Sequence, residues 1–186
     1  ADRINEVLEM APEIVDPSQG QTVTQRASLE FRDVTFSYPG AEQPAVKNIS
    51  FSANPGEVTA IIGGTGSGKT TLLNLIVRFY DVDSGAVLVG GSDVRQLTQA
   101  DLRSRIGLVP QSAVLFSGTV ADNIRYGKPN ASDAEVEAAA RIAQATEFIT
   151  GMPQGFESPI AHGGTNVSGG QKQRLSIARV FLKNPP

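Results

Sequence analysis

The sequence contains no cysteine and a single histidine, His162, among its 186 residues. The absence of cysteine excludes a disulfide framework, a thiolate metal site and a cysteine nucleophile. A single histidine also excludes a zinc site built from several histidines. Chemistry that depends on thiols or on a histidine cluster is therefore ruled out for this sequence.

The sequence also lacks a marked excess of either charge and lacks long apolar runs. Lys and Arg number 16 against 19 Asp and Glu, a net charge of -3, and no basic stripe indicates a nucleic-acid partner. No apolar run approaches the roughly 18 residues of a membrane span, so we expect no insertion of this segment into a bilayer. With 40% apolar residues, the composition is typical of a globular protein with one domain or two small subdomains.

Hydrophobic periodicity predicts a helix and then a β layer in the first third of the sequence. Residues 1–15 have apolar side chains at helical spacing, and the polar segment 16–27 that follows is typical of a linker. Alternating apolar residues predict strands over 28–36 and near 46–53, which would pair in an antiparallel layer. A β-rich run over 58–62 predicts a buried strand.

The remaining sequence alternates further helices with short strands. The predicted helices cover 68–80, 98–105, 119–150 and 168–183. The predicted strands cover 86–90 and 106–109. Ser132 and Glu135 form a capping-box pattern that marks a helix start within the long Ala-rich region. This order of elements indicates a mixed α/β fold.

A glycine-rich motif lies between the predicted strand 58–62 and the predicted helix 68–80, and it matches G-x-x-x-x-G-K-[ST] in full. Glycines let the backbone wrap closely around a triphosphate, with successive amides and the helix N-terminus facing the anion. Lys69 can reach the β- and γ-phosphates, and the Thr70 hydroxyl can coordinate Mg²⁺. The motif residues are Gly63, Gly64, Thr65, Gly66, Ser67, Gly68, Lys69 and Thr70, of which the Gly66, Ser67 and Gly68 amides form the predicted cradle.

A second small-residue motif, Val167-Ser-Gly-Gly-Gln171, opens the last predicted helix. Two glycines behind a serine at a helix start make a backbone nest with a positive dipole, which suits an anion. By itself the motif also fits an ordinary capped turn.

Together these two loops resemble those of the nucleotide-binding domain of ATP-binding-cassette (ABC) transporters, and more narrowly of the exporter type. The first loop resembles the family's Walker A motif and the second its signature motif, with Val167 in place of the usual Leu. The resemblance implies that ATP and Mg²⁺ are the cofactors. It also implies that the signature residues contact the γ-phosphate held by a second nucleotide-binding domain; they are Ser168, Gly169, Gly170 and Gln171.

Further positions extend the resemblance over nearly the whole chain. Tyr38 resembles the aromatic residue that stacks on adenine, and Gln111 the glutamine that senses Mg²⁺ and the attacking water. Alternatively, Tyr38 is an ordinary tyrosine of the β layer, and Gln111 is an ordinary polar loop residue. The resemblance implies that Lys69 and Gln111 are catalytic, that Thr70 and Gln111 are Mg²⁺ ligands, and that Thr71 contacts the α-phosphate.

The resemblance also implies a domain organisation. Residues 1–27 would be a connector helix and linker from a membrane domain, and 28–186 a partial ABC ATPase domain with a helical subdomain at about 119–167. The implied fold is a P-loop NTPase core with an antiparallel β layer and a helical subdomain. The family's Walker B aspartate, catalytic glutamate and later histidine are expected beyond Pro186, so we expect the C-terminal part to be missing. The segment alone is then expected to bind nucleotide at best.

The function implied is that of the ATPase domain of an ABC exporter at the cytoplasmic face of a membrane. It would couple ATP binding, domain dimerisation and hydrolysis to transport. Its partners would be a second nucleotide-binding domain, identical or different, and transmembrane domains. A soluble ABC-family ATPase and a non-hydrolysing regulatory half-site are the alternatives.

Two further stretches carry predictions. Ala161-His162-Gly163-Gly164 stands where exporters carry Gly-Glu-x-Gly, so His162 is either a pH-sensitive contact or an exposed imidazole. The last predicted helix carries a run of basic residues that we expect to form a solvated face: Lys172, Arg174, Arg179 and Lys183.

Overall fold

The structure is a computed structural model that describes residues 12–21, 23 and 27–186. The predicted helix over 1–15 lies mostly outside the described residues, and the described part of it, 12–15, is not helical. The chain divides into two units, Ala1–Arg105 and Ile106–Pro186. Within the described residues, no helix is both long and apolar enough to cross a membrane.

A four-stranded antiparallel sheet dominates the first unit. Its strands are β1 (Leu29–Phe36), β2 (Val46–Ala53), β3 (Ser84–Val89) and β4 (Ser92–Asp93), in the order β2-β1-β3-β4. Phe31, Val34 and Phe36 of β1 are buried, and a register shift against β2 between Phe31 and Val34 interrupts the alternation that the sequence predicts. The predicted antiparallel β layer is thereby confirmed.

Helix α1 (Lys69–Ile76) begins at the end of the glycine-rich motif. It is shorter than the predicted 68–80, because Arg78 adopts a left-handed backbone conformation (φ 52°) that reverses the chain. The Arg78 side chain is 4% exposed and is held by an ion pair with Asp81 at 2.8 Å. Leu72 and Leu75 are buried. Leu73 and Phe79, by contrast, are exposed.

The predicted strands over 58–62 and 106–109 do not form, and both predictions are wrong. Val58 is 98% exposed and Ile62 is 94% exposed. A strand requires a neighbour for its backbone hydrogen bonds, and no described strand pairs with either segment. High β propensity alone therefore did not produce a strand here.

A 3-10 helix (Val94–Gln96) and helix α2 (Gln99–Ser104) follow β4 in the first unit. The Asp101 amide donates to the Thr98 hydroxyl at 3.2 Å, which caps the helix at the position the sequence predicts. The described part of the linker packs beside this helix start. There the Gln99 amide donates to the Asp16 carboxylate at 2.9 Å, and the Gln21 amide donates to the Gln96 carbonyl at 2.8 Å.

The second unit is mainly helical. Its elements are β5 (Gly118–Thr119), α3 (Val120–Arg125), α4 (Asp133–Ile142), α5 (Thr146–Thr150), β6 (Pro159–Ile160) and α6 (Gly169–Lys183). Capping boxes at Thr119, Ser132 and Ser168 begin three of the helices, and the latter two boxes stand where the sequence predicts a helix start. The predicted helical region 119–150 is divided into α3, α4 and α5. The core between the helices includes Ile124, Val136, Ile149, Leu175 and Ala178.

The basic residues of α6 do not form the solvated face that the sequence predicts. Arg179 donates to the Asn123 and Val114 carbonyls, each at 2.6 Å. Lys172 and Lys183 donate to the Gly163 and Ile106 carbonyls, each at 2.9 Å. Arg174 lies over the Phe148 ring, 5.2 Å from its centroid. These side chains turn back onto backbone carbonyls and aromatic rings of the second unit, so the prediction is wrong.

Candidate functional site

The glycine-rich motif forms a tight loop at the N-terminus of α1. Gly66 and Gly68 have φ values of 79° and 87°, a backbone conformation that L side chains rarely adopt. A Cβ atom at Gly68 would also lie 2.6 Å from Val46 Cγ1 and 2.9 Å from the Ala45 carbonyl oxygen. Glycine is therefore required at 68 both by the turn and by the close approach of the start of β2.

A cavity of about 270 Å³ opens where this loop meets α1 and the end of β1. Its walls combine backbone amides, hydroxyl groups and an aromatic residue. The lining residues are Tyr38, Ala45, Gly66, Ser67, Gly68, Lys69, Thr70 and Thr71. An anionic group would meet the helix N-terminus here, while a flat apolar group would meet the ring.

The Lys69 ammonium group is held inside the loop. It donates to the Gly63 and Gly64 carbonyls at 2.8 and 2.6 Å and to the Ser67 hydroxyl at 3.2 Å. These contacts place a positive charge at the N-terminal end of α1, where the helix dipole adds positive potential. The first turn of α1 contains no acidic residue that would neutralise it.

Tyr38 lines the cavity together with residues of the loop. Its hydroxyl group is 3.1 Å from Thr71 Oγ1, within hydrogen-bond distance. Its ring lies edge-on to the rings of Phe36 and Tyr80, with centroid distances of 5.0 and 5.2 Å. The structure thus brings Tyr38 next to the helix that follows the glycine-rich motif, although 33 positions separate it from Thr71 in the sequence.

The residues predicted to bind Mg²⁺ are in different units. Thr70 lines the cavity of the first unit, whereas Gln111 is an exposed loop residue of the second unit. Within the described residues, no group of three or more His, Cys, Asp or Glu side chains could hold a metal ion. Among the residues that line the cavity, hard oxygen atoms are supplied by the hydroxyl groups of Tyr38, Ser67, Thr70 and Thr71.

The second predicted motif begins α6 with reciprocal hydrogen bonds. The Gln171 amide donates to the Ser168 hydroxyl at 3.2 Å, and the Ser168 amide donates to the Gln171 side-chain oxygen at 2.8 Å. Gly169 and Gly170 are exposed, and a Cβ atom on either glycine would meet no other atom within 4 Å. Neither the packing nor the backbone conformation of this unit requires glycine there, so the bare helix end is open to a molecule from outside.

Three residues of the predicted motif do not line the cavity, and two neighbours of the site were not predicted. Gly63 and Gly64 contact Lys69 rather than the cavity, and Thr65 is an exposed residue of the loop. Ala45 was missed because an alanine carries no chemical signal. Tyr80 was missed because nothing in the sequence relates it to Tyr38.

Comparison with known proteins identifies the family. The family model described as "ABC transporter" matches residues 46–186. A "Multidrug efflux ATP-binding/permease protein" of Mycobacterium bovis is 45% identical over 98% of this chain, which covers 15% of that protein. An "ATP-dependent lipid A-core flippase" of Xanthomonas campestris is 46% identical over 100% of this chain, which covers 32% of that protein.

A solved structure supports the same assignment. A bacterial Atm1-family ABC exporter with ATP bound matches 100% of this chain with a TM-score of 0.94 and 39% sequence identity. The chain covers 32% of that exporter's length. The predicted fold, an ABC ATPase-type α/β domain with an antiparallel layer and a helical part, is confirmed by this match.

Proposed function

Because this chain belongs to the ABC transporter family and has the fold of an exporter's nucleotide-binding domain, we propose that its cavity at α1 binds ATP together with Mg²⁺. The observation that carries the proposal is the pairing of Tyr38 with the phosphate-binding motif around one cavity. The adenine ring stacks on Tyr38, and the triphosphate extends toward the N-terminus of α1.

Different residues of α1 and its loop contact different phosphates of the triphosphate. The Gly66, Ser67 and Gly68 amides donate to phosphate oxygens, and the Lys69 ammonium, held by carbonyl and hydroxyl oxygens of the loop, pairs with the β- and γ-phosphates. The Thr71 side chain lies next to the α-phosphate. Bound Mg²⁺ neutralises charge on the phosphates, and Thr70 together with Gln111 supplies its protein ligands.

A second copy of such a domain completes the site. Ser168, Gly169, Gly170 and Gln171 reach the γ-phosphate of the ATP bound to the partner domain. The exposed and sterically open start of α6 supports this role. Dimerisation around ATP is therefore the step that joins the two motifs.

Hydrolysis requires more than the cavity contains. None of the described residues that line it is a carboxylate, so this chain has no acid there to activate a water molecule. We therefore propose that the chain alone binds MgATP without turnover, with Lys69 and Gln111 contributing to catalysis in a longer ATPase.

The longer protein would be an exporter that uses this ATPase to drive transport. The relatives named above support an exporter, and the chain spans between 15% and 32% of their lengths. In this proposal 1–27 connects to transmembrane domains, 28–186 is a partial ATPase domain, and about 119–167 is its helical subdomain. The domain then lies at the cytoplasmic face of the membrane.

The proposed binding site is tested by Lys69→Ala, with Lys47→Ala as the matched control on the exposed side of β2. Isothermal titration with MgATP should show that Lys69→Ala abolishes tight binding, because the phosphates lose their paired charge. Lys47→Ala should bind as the unchanged chain does. Binding by Lys69→Ala within about threefold of the unchanged chain would refute the site.

A further inference from the structure

We propose that Tyr80 is a positioning residue for the base of the bound nucleotide and that it acts through Tyr38. The inference rests on the proposed function, because it requires adenine to stack on Tyr38. Tyr80 does not line the cavity. Its contribution would be to fix the orientation of the Tyr38 ring, which does line the cavity.

Three rings form one cluster, the aromatic triad of Phe36, Tyr38 and Tyr80. The ring centroids lie 5.0 Å apart for Phe36 and Tyr38, 5.3 Å for Phe36 and Tyr80, and 5.2 Å for Tyr38 and Tyr80. The planes of Tyr38 and Tyr80 meet at 87°, the edge-to-face arrangement that aromatic rings favour. Each ring therefore restricts the rotation of the other two.

The backbone around Tyr38 leaves its ring in need of such support. Tyr38 lies beyond the end of β1, and the turn that follows at Pro39 and Gly40 is exposed. The Tyr38 side chain is itself only partly buried. The Ala41 amide donates to the Tyr38 carbonyl at 2.9 Å and so fixes the backbone, whereas the orientation of the ring depends on side-chain contacts. These contacts are the Thr71 hydroxyl at one end and the Phe36 and Tyr80 rings around it.

Tyr80 is tied to the phosphate-binding motif through α1. That helix begins at Lys69 and ends at Ile76, and its eight residues span about 12 Å. The left-handed Arg78 then turns the chain, while its buried guanidinium group is fixed by Asp81. Since one short helix carries the phosphate cradle at its start and leads to Tyr80 at its end, Tyr80 sets the position of the base platform relative to the phosphates.

A positioning role predicts an effect confined to the base. ATP binds more tightly when the Tyr38 ring is already fixed in the free protein, because no conformational entropy is then lost in ordering that ring on binding. Loss of the Tyr80 ring should therefore weaken ATP binding and leave binding of inorganic tripolyphosphate, which has no base, unchanged. A purely structural role would weaken both ligands together.

The experiment compares Tyr80→Leu with Tyr80→Phe by isothermal titration of each variant with MgATP and with tripolyphosphate. Tyr80→Leu keeps apolar volume but removes the ring, and we expect about a three- to tenfold loss of ATP affinity with unchanged tripolyphosphate affinity. Tyr80→Phe keeps the ring and should bind both ligands as the unchanged chain does. Equal losses for both ligands, or no loss of ATP affinity in Tyr80→Leu, would overturn the proposal.

A double variant tests whether Tyr80 acts on ATP binding through Tyr38. In a Tyr38→Ala background the platform is gone, so adding Tyr80→Leu should cause no further loss of ATP affinity. A further loss of the same size as in the unchanged background would show that Tyr80 acts independently of Tyr38 and would overturn the proposal. Failure of the unchanged chain to bind ATP at all would instead reject the proposed function on which the inference rests.

Discussion

The Tyr38 hydroxyl group lies 3.1 Å from Thr71 Oγ1, and this contact joins the end of β1 to the first turn of α1. Thr71 is buried and follows directly after the two motif residues Lys69 and Thr70. Tyr38 and Thr71 both line the cavity. The proposed platform for a base and the proposed cradle for phosphates are therefore joined by a hydrogen bond.

The hydroxyl and the ring of Tyr38 should have separable effects. Tyr38→Phe removes the hydrogen bond to Thr71 and keeps the ring, so we expect a loss of about 0.5–1.5 kcal/mol in unfolding free energy with little loss of ATP affinity. Tyr38→Ala also removes the stacking surface and should weaken ATP binding by about 1–3 kcal/mol. Denaturant unfolding and isothermal titration measure the two effects. Equal ATP affinities for the two variants would contradict stacking on Tyr38.

Replacing Gly170 by alanine should raise the stability of the protein and lower its rate of ATP hydrolysis. Glycine in a helix is less stable than alanine, and a Cβ atom here meets nothing within 4 Å. Gly170→Ala should therefore raise the unfolding free energy by up to about 1 kcal/mol. In the full-length protein it should lower ATP hydrolysis by about 10-fold to 100-fold, because the added methyl group displaces the partner's γ-phosphate.

The control for this variant is Gly56→Ala. A Cβ atom at Gly56 also meets nothing within 4 Å, but the residue has a φ of 80°. Alanine there should lower the unfolding free energy by about 1 kcal/mol and leave hydrolysis unchanged. Full hydrolysis by a stabilised Gly170→Ala protein would show that the start of α6 does not act on ATP.

Arg179 should be needed for the stability of the second unit. Its guanidinium group donates to the Val114 and Asn123 carbonyls and to Asn123 Oδ1, each at 2.6 Å, and burial lowers the pKa of Arg179 below its ordinary value. Arg179→Lys cannot reproduce this planar set of donors and should lower the unfolding free energy by about 2–3 kcal/mol. Arg141 is exposed, so Arg141→Lys is the matched control and should change the unfolding free energy by less than about 0.5 kcal/mol. Similar unfolding curves for both variants would contradict the structural role.

Glu135 should make the second unit sensitive to acid. Hydrogen bonds from the Lys128 ammonium group and from the Ser132 backbone and hydroxyl lower the pKa of Glu135 from 4.5 to about 2. Since the folded pKa is the lower one, its contribution is present above about pH 4.5 and is lost as the pH falls toward about 2. The stability difference between the unchanged chain and Glu135→Gln, measured by urea unfolding in low salt, should shrink over that range. A difference independent of pH would contradict the charged contact.

Local sequence patterns were enough to predict the elements that depend on local interactions. The alternation in 28–36 predicts β1 because one face of that strand is buried, and Ser132 with Glu135 predicts the start of α4 because a capping box is formed by residues three positions apart. The segment 58–62 is different, since its β propensity cannot specify whether a neighbouring strand is present to accept its hydrogen bonds.

Long-range contacts were not predictable in this way. The charge of Arg179 suggests a solvated position, but its partners Asn123 and Val114 lie 56 and 65 positions away. The tight glycine-rich loop before α1 could be predicted because its pattern lies in one continuous segment. Tyr38 was identified only by resemblance to a family, and Tyr80 became visible only when the rings were seen in contact.

The most direct test of the account is a calorimetric titration of this chain with MgATP, with phosphate release followed in the same sample. We expect saturable heat for one site per chain and no phosphate release above the background, because the proposed nucleotide site is lined by no carboxylate. The absence of saturable heat, or heat that Lys69→Ala reproduces, would contradict ATP binding at this cavity. Phosphate release by this chain would contradict the claim that it binds without turnover.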